Sequence, residues 1–394
     1  MTTAETASAS RPALTIDKLG VLIALIAVAG ALMPFAIFRA NRIVLGEARS
    51  LIEALPAFAS GFLIGITLVG VAAALVRVNI YGKLVVGFAV LATLFVFIGQ
   101  SATYLTPPDN SFARVSPGAG FWLLTFAFAL MVTDALTRLK FGPWLRIAIL
   151  AGVALVLAAL LWSGAWNDLS ILKEYANRAA VFWQEARVHL MLAFGSVAIA
   201  TVVGVPVGIV CYRVAPLRAG VLNVLNIVQT IPSIALFGLL IAPLAWIAAN
   251  VPGAAAIGIS GIGFAPAMVA LFAYSLLPIV ANTVVGLENV PETANEAAKG
   301  MGMTDMQRLL GVEMPLAFPV ILTGIRIVLV QNIGLATIAA LIGGGGFGVF
   351  VFQGIGQTAM DLVLLGAVPT VALAFAAAVV LDAVVEMVSV GGGK

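Results

Sequence analysis

The sequence predicts an all-α polytopic membrane protein with about ten transmembrane helices, and three observations lead to that fold class. Only 9% of the 394 residues are charged, whereas about 25% is usual in soluble domains. The mean hydropathy is +1.15, which excludes a water-soluble enzyme as well as a disordered or fibrous chain. The apolar residues are gathered in ten runs, each close to the roughly 20 residues that a helix needs to cross a bilayer.

The ten runs form two groups of five, separated by a polar interval. A polar tail, residues 1–18, comes first; it lacks the features of a cleaved signal peptide, and we expect it to be cytoplasmic. The interval, residues 167–188, is either a solvated loop or, as we expect, an extracytoplasmic amphipathic linker. Before this interval, residues 19–166 form an N-terminal extension of about five transmembrane helices. After it, residues 189–388 form a five-helix core. The runs are 19–38, 51–76, 84–104, 118–136 and 145–166, then 189–212, 219–247, 264–287, 316–342 and 362–388.

Basic residues in the short loops predict the orientation of the chain. With the N-terminus inside, more Lys and Arg residues lie in cytoplasmic loops than in outer loops, although Arg39, Arg42 and Arg49 in the first outer loop oppose this trend. We therefore expect both termini in the cytoplasm. The net charge of +3 is too small and too dispersed to indicate nucleic-acid binding.

The residue types needed for metal, cofactor or nucleotide chemistry are scarce. With Cys211 and His189 as the single residues of their kinds, a disulfide framework and an ordinary zinc site are excluded. Gly82-Lys83 is followed by Leu84, so it does not complete a P-loop. The segment Gly343–Gly348 matches Gly-x-Gly-x-x-Gly, but it follows a membrane helix, so we expect a bend near the outer mouth. We expect no catalytic residue, no metal and no cofactor on this chain.

The loop between the third and fourth core runs, residues 288–315, concentrates charge that is rare elsewhere. It holds five of the 17 acidic residues. Its sequence predicts two short helices joined by a sharp turn, because Gly302 tolerates a left-handed conformation. The pattern Thr304-x-x-Gln307 predicts a capping box that opens the second helix, and Pro315 is expected to end it.

This loop resembles the EAA signature of the permease subunits of ABC importers. Glu296-Ala297-Ala298, then Gly302, then Val312-Glu313-Met314-Pro315 occur at the family spacing, with Met314 in place of the usual Leu. In that family the loop is a coupling helix that docks on a cytoplasmic ATPase. The resemblance implies ATPase-coupling roles for Glu296, Ala297, Ala298, Gly302, Val312, Met314 and Pro315.

Four further segments look like the permeases for osmoprotectants such as glycine betaine, choline and carnitine. The similarity covers about residues 185–388, and the five-helix extension is similar to that of the long, YehY-type permeases. The resemblance implies a type I importer core. The segments are Gln229–Ser233, Tyr274–Thr283, Gly324–Arg326 and Ala339–Gly348.

Uncharged polar residues within the core runs are candidates for the translocation pathway. Such residues at membrane depth face a bundle interior or a cavity, so each either forms an interhelical hydrogen bond or contacts solute. A quaternary ammonium solute favours aromatic faces and neutral polar groups. The candidates are Gln229, Thr230, Pro232, Ser233, Tyr274, Asn282, Gln331 and Asn332.

The resemblance implies a permease subunit of a binding-protein-dependent importer in the bacterial inner membrane, working by alternating access. Its partners would be a cytoplasmic ATPase dimer carrying ATP and magnesium, a second permease that is the same or a paralogue, and an extracytoplasmic solute-binding protein. The alternative is an ion-gradient-driven secondary transporter for a small zwitterion, which needs an intramembrane ion site. A membrane-embedded enzyme would need a cluster of His, Cys or paired carboxylates, and the sequence offers none.

Overall fold

The computed structural model of the chain describes residues 17–42, 44–76, 79–110 and 112–391. Within this part of the chain, nine helices are long and apolar enough to cross a membrane. A tenth apolar helix of 15 residues, Lys18–Leu32, precedes them. The predicted class, a helical polytopic protein with about ten membrane helices, is confirmed. The predicted tail, residues 1–18, lies outside the described residues except for its last two positions.

The described residues form two compact units, and the first comprises the described parts of 1–141 together with 156–173. Its helices pack around buried aromatic and aliphatic side chains such as Phe35, Leu94 and Phe128. The elements in chain order are α1 (Lys18–Leu32), β1 (Ala36–Arg39), β2 (Glu47–Arg49), α2 (Leu51–Ala54), α3 (Ala57–Leu75), α4 (Ile80–Leu105), β3 (Arg114–Pro117) and α5 (Ala119–Leu139), followed by α6 (Pro143–Trp162), which contributes to both units.

A three-stranded antiparallel sheet in the first unit was not predicted from the sequence. The apolar run 19–38 does not remain helical to its end, because Pro34 cannot continue α1 and Met33 is already extended. The chain then forms β1, which pairs with β2 on one side and with β3 on the other. Strands of three or four residues carry too little periodicity to be recognised in an apolar sequence.

An ion pair connects α1 with α4 at one end of the first unit. Asp17 caps α1, and its carboxylate accepts a hydrogen bond of 2.9 Å from Lys83 Nζ. Lys83 also donates to the backbone carbonyl of Ala74, at 3.2 Å. The bond from Lys83 lowers the pKa of Asp17 below its ordinary value. The pair therefore satisfies a buried ammonium group that apolar surroundings would otherwise destabilise.

The second unit comprises residues 142–155 and the described part of 174–394. At one end of it, Arg146 of α6 donates to Asp382 at 2.7 Å and pairs with Glu386, while Arg326 also pairs with Asp382. The remaining elements are α7 (Ser170–Arg213), α8 (Ala215–Thr230), α9 (Ser233–Asn250), α10 (Phe264–Glu288), α11 (Glu292–Gly300), α12 (Asp305–Arg308), a π-helix (Leu309–Glu313), α13 (Met314–Leu335), a 3-10 helix (Ile338–Ile342), α14 (Gly348–Gly356) and α15 (Met360–Gly391).

Two of the predicted segments in this unit contain an interruption of the helix. The run 219–247 is not one helix, because Ile231 and Pro232 are extended and separate α8 from α9. In the interval 167–188, α7 begins at Ser170, and non-helical dihedral angles at Arg178 divide it into a short first part and a long second part that ends at Arg213. The extracytoplasmic position of this interval stays a prediction.

Small residues allow α10 and α13 to pack closely. A Cβ atom on Gly286 would lie 2.9 Å from the carbonyl oxygen of Ala317, and one on Gly324 would lie 2.8 Å from Cβ of Asn282. Such close approach is typical of helices that associate in membranes, where apolar burial alone provides little driving force. The α10–α13 pair is thereby fixed at the position where both helices enter the charged segment between them.

Candidate functional site

The segment between α10 and α13 folds as two short helices, as predicted. Pro291 caps α11, and Gly302 has φ = 79°, the left-handed conformation that lets the chain turn into α12. Thr304 and Gln307 form the predicted capping box, with bonds of 2.9 Å from Thr304 N to the Gln307 side chain and 3.3 Å from Gln307 N to Thr304 Oγ1. Local sequence chemistry alone fixes this turn.

The prediction that Pro315 ends the second helix is wrong. The chain passes from α12 through the π-helix directly into α13, and Pro315 lies in the first turn of α13. Proline lacks an N–H group and disrupts the regular helical bonding pattern, and π-turns accommodate such local interruptions without ending a helix. As a result, the second half of the segment continues into a membrane helix without a break.

Apolar packing holds the segment against the helical bundle. Val290 and Leu309, which flank α11 and α12, are 8% exposed and pack in one cluster with Leu287, Ala317 and Ile321. Since these residues come from α10, α13 and the segment itself, the segment packs against both membrane helices.

A buried carboxylate adds a polar anchor to the same segment. Glu313 in the π-helix is 1% exposed and accepts a bond of 3.0 Å from Arg308 Nε. Its other oxygen accepts a bond of 2.7 Å from Arg213 at the end of α7. Asp305 pairs with Arg308 at 2.8 Å. A buried charge is tolerated only when it is paired in this way, so Glu313 connects α7 to the segment.

The predicted coupling residues divide into a buried side and an exposed side. Ala298 is 1% exposed and faces the bundle, whereas Glu296 and Ala297 are exposed. The segment also exposes three apolar side chains that were not predicted from the sequence, although they are four and five residues apart. These are Met301, Met306 and Leu310. Of the other predicted residues, Gly302 and Pro315 are exposed and Val312 and Met314 are half-buried.

The break between α8 and α9 is stabilised by α10. The Gln229 side chain donates a bond of 2.8 Å to the backbone carbonyl of Tyr274, and the Tyr274 hydroxyl donates back to the carbonyl of Ile231. Ile231 directly precedes Pro232, so this reciprocal pair satisfies a carbonyl that the broken helix leaves free. Ser233, the first residue of α9, is half-buried. Five of the predicted pathway residues, including Thr230 at the end of α8, therefore lie together at the break.

Asn332 lies elsewhere, at the junction of three helices. Its side chain is fully buried, and its Nδ2 donates bonds of 2.8 Å to Ser196 of α7 and of 2.8 Å to Ser275 of α10. Asn282 instead bonds within its own helix, to the carbonyl of Pro278 at 2.8 Å. Gln331 is half-buried. The structure does not gather these three predicted residues with the α8–α9 break.

Two asparagines of an exposed polar stripe on α8 were not predicted from the sequence, whereas its third residue, Thr230, was. Asn223, Asn226 and Thr230 are exposed and share one helix face because they are three and four residues apart. No residue of α8, all of which the structure describes, is buried. Amide side chains on a helix at membrane depth are unfavourable against lipid. Their spacing in an otherwise apolar run was the signal that could have found them.

Comparisons with known proteins agree with this architecture. Residues 17–172 match the family described as ABC transporter permease YehY, N-terminal domain. Residues 200–389 match the family described as binding-protein-dependent transport system inner membrane component.

Curated relatives carry related names. The chain is 45% identical over 179 residues to the osmoprotectant import permease protein OsmW of Salmonella typhimurium, an alignment that covers 45% of this chain and 78% of the relative. It is 38% identical over 186 residues to the glycine betaine/carnitine/choline transport system permease protein OpuCB of Bacillus subtilis. That alignment covers 47% of this chain and 78% of the relative. A solved chain of the MetNI methionine ABC transporter is 25% identical, with a TM-score of 0.47, over 54% of this chain and 98% of that chain.

The chain therefore belongs to the family of binding-protein-dependent inner-membrane permeases, and the resemblance derived from its motifs is confirmed. Within that family it is one of the members that carry a YehY-type N-terminal domain.

Proposed function

We propose that this chain is the permease subunit of an ATP-driven, binding-protein-dependent importer for osmoprotectants such as glycine betaine, choline or carnitine. The observation that carries the proposal is the 45% identity to a permease named for osmoprotectant import, over 78% of that relative. Transport proceeds by alternating access across the bacterial inner membrane. ATP and magnesium bind to a separate ATPase dimer, and a solute-binding protein delivers the solute from outside.

The polar groups of the core favour a neutral or zwitterionic molecule as the transported solute. Asn223, Asn226 and Thr230 form an uncharged stripe on α8 that is exposed in the single chain. A second permease chain, identical or paralogous, faces this stripe across a shared pathway, and solute moves along it. Gln229 and Tyr274 hold the helix break at the end of the stripe. Amide and hydroxyl groups solvate a zwitterion without the ion site that a gradient-driven exchanger requires.

The exposed side of the segment 288–315 supports ATPase docking. Glu296 and Ala297 are exposed, and so are the apolar side chains of Met301, Met306 and Leu310 in the same segment. Exposed apolar side chains bordered by charges are typical of a protein interface. The buried anchors Leu309 and Glu313 then transmit ATPase movement to α13 and α7.

The decisive experiment is reconstitution of the permease with its ATPase and binding protein in proteoliposomes that contain ATP. We expect Glu296→Lys to abolish glycine betaine-stimulated ATP hydrolysis and to reduce uptake at least about tenfold, because loss of one interface hot spot costs about 2 kcal/mol or more. The permease itself should remain folded, since Glu296 is exposed.

The matched control is Glu47→Lys, the same charge reversal at an exposed acid in the small sheet, which the proposed topology places outside. It should transport as the wild type does. Wild-type uptake that proceeds without ATP would overturn the proposed function and favour a secondary transporter. Normal coupling in Glu296→Lys would overturn the docking role of the segment.

A further inference from the structure

Four consecutive glycines form a corner between α13 and α14 in the second unit. The corner, residues 343–347, follows the 3-10 helix Ile338–Ile342 and ends at Phe347, the residue before α14 begins. Gly343, Gly345 and Gly346 have φ angles of 76°, 76° and 84°, a conformation that other residues rarely adopt. The corner has few side chains of its own, so its position depends on groups supplied by neighbouring helices.

Two side chains of α7 supply those groups. Glu185 and His189 are four residues apart and therefore share one face of the helix. A carboxylate oxygen of Glu185 accepts a bond of 2.6 Å from the backbone N–H of Gly346. His189 Nδ1 accepts a longer bond of 3.4 Å from the backbone N–H of the next residue, Phe347. Two successive N–H groups of the corner are thus held by α7.

The imidazole of the same histidine lies directly against the corner. His189 is fully buried, and a Cβ atom on Gly346 would lie 3.1 Å from its Nδ1. Because Nδ1 accepts a bond, the proton of a neutral imidazole is on Nε2, and within the described residues Nε2 is buried without a hydrogen-bond partner. His189 therefore holds the corner through Nδ1.

Aromatic packing continues from this contact. The ring of Phe347 lies 4.9 Å from the His189 ring and 5.4 Å from the Phe182 ring, measured between centroids. Phe350 stacks on Phe182 at 6.0 Å. A movement of the corner away from α7 therefore carries Phe347 out of an aromatic cluster, and the position of that ring depends on the two hydrogen bonds.

We propose that Glu185 and His189 are positioning residues that form a latch on the glycine corner, and that release of this latch is a step of the transport cycle. The proposal rests on the proposed transport function. The carboxylate and imidazole hold the corner against α7 in the latched state. When they release it, the glycines give the corner more conformational freedom than any other sequence would, and α13 and α14 reorient at this end of the bundle.

The first test measures the latch itself by amide hydrogen exchange of the full-length permease in nanodiscs. The reporter is the peptide that contains residues 343–350, which includes both latched N–H groups. We expect Glu185→Ala to accelerate exchange of this peptide about tenfold, because a charge-assisted hydrogen bond is lost. Glu185→Gln and His189→Asn retain an acceptor and should exchange close to the wild-type rate, whereas His189→Leu should exchange faster.

The matched control is Gln184→Ala, an exposed position on the same helix, which should leave the exchange unchanged. Wild-type exchange in both Glu185→Ala and His189→Leu would overturn the latch. Exchange that also rises in peptides of α10 and α13 would indicate general unfolding, and would overturn the assignment of a local role to these side chains. This test needs neither ATPase nor solute, so it remains valid if the proposed function fails.

The second test asks whether release belongs to transport. With ATPase, binding protein and glycine betaine present, the ratio of solute-stimulated to basal ATP hydrolysis should be at least about threefold lower in Glu185→Ala than in the wild type. The reason is that the corner of this variant is already released from α7 before solute arrives. Glu185→Gln should restore the ratio. A faster-exchanging Glu185→Ala variant with a wild-type ratio would overturn the release step, and a wild-type complex without stimulation by any solute would instead overturn the proposed function.

Discussion

At the scale of the residue, Glu313 is the side chain that anchors the segment 288–315 most directly to its surroundings. Its buried carboxylate neutralises Arg308 and also bonds Arg213. Breaking a buried ion pair from one side costs about 3–5 kcal/mol in soluble proteins. We expect Glu313→Ala to lower the Tm of the detergent-solubilised permease and to increase proteolysis of the segment, and the double variant Glu313→Ala/Arg308→Ala to recover part of the Tm.

Glu288→Gln provides the comparison, because the Glu288 carboxylate pairs with Arg218 at the surface and its side chain is 41% exposed. Exposed ion pairs contribute little to stability, so this variant should keep the wild-type Tm. Equal Tm values for Glu313→Ala and Glu288→Gln would mean that the buried pair does not anchor the segment.

The Thr304–Gln307 capping box was predicted correctly from the sequence, whereas the partners of Glu313 were not. The Thr304–Gln307 capping box needs only two side chains and the backbone between them, so its sequence spacing suffices. Glu313 was placed inside a motif, but its two arginine partners come from positions five and 100 residues away. Charge alone does not reveal which of 17 acids is buried.

At the scale of elements, Asn332 joins α7, α10 and α13 in the middle of apolar surroundings. Its amide donates to Ser196 and Ser275 on the other two helices. Interhelical hydrogen bonds in membranes contribute about 0.6 kcal/mol on average and about 1.7 kcal/mol at most. We therefore expect Asn332→Ala to lower the free energy of unfolding by about 1–3 kcal/mol, as measured by denaturation in mixed micelles.

Asn282→Ala is the matched control, because the Asn282 amide bonds within α10 to Pro278. It should lose less stability than Asn332→Ala. The single variants Ser196→Ala and Ser275→Ala should each show part of the larger effect. If Asn332→Ala were no less stable than Asn282→Ala, the three-helix junction would not be held by this side chain.

Hydropathy predicted where helices occur in the chain, but it did not predict where a helix is interrupted. Every predicted apolar run contains a helix, because crossing a bilayer requires internal backbone hydrogen bonding. Two prolines had opposite outcomes: Pro232 accompanies a complete break between α8 and α9, whereas Pro315 lies within a continuous helix. The two interruptions are compensated in different ways, one by a tertiary contact and the other within the helix. Tyr274 compensates the first break with its hydroxyl, and a π-turn absorbs the second.

At the scale of the whole molecule, the small sheet shows which helix ends of the first unit lie together. The segment after α1 supplies β1 and β2, and the segment after α4 supplies β3. Since β1 pairs with both of the other strands, these two segments lie at the same end of the unit. That arrangement is the one expected if α1, α3 and α4 cross the membrane in alternating directions.

The number of membrane crossings along the chain then predicts the location of both termini. If α8 and α9 together make one crossing, the chain has ten crossings. Because ten is an even number, both termini then lie on the same side of the membrane, which is also the side of the segment 288–315. We expect fluorescent-protein fusions at either terminus to fluoresce in cells, as cytoplasmic fusions do. Alkaline phosphatase inserted at Asp109, in the segment between α4 and β3, should be active because that segment is outside. An active phosphatase at Gly300, at the end of α11, would place the segment outside and make ATPase docking there impossible.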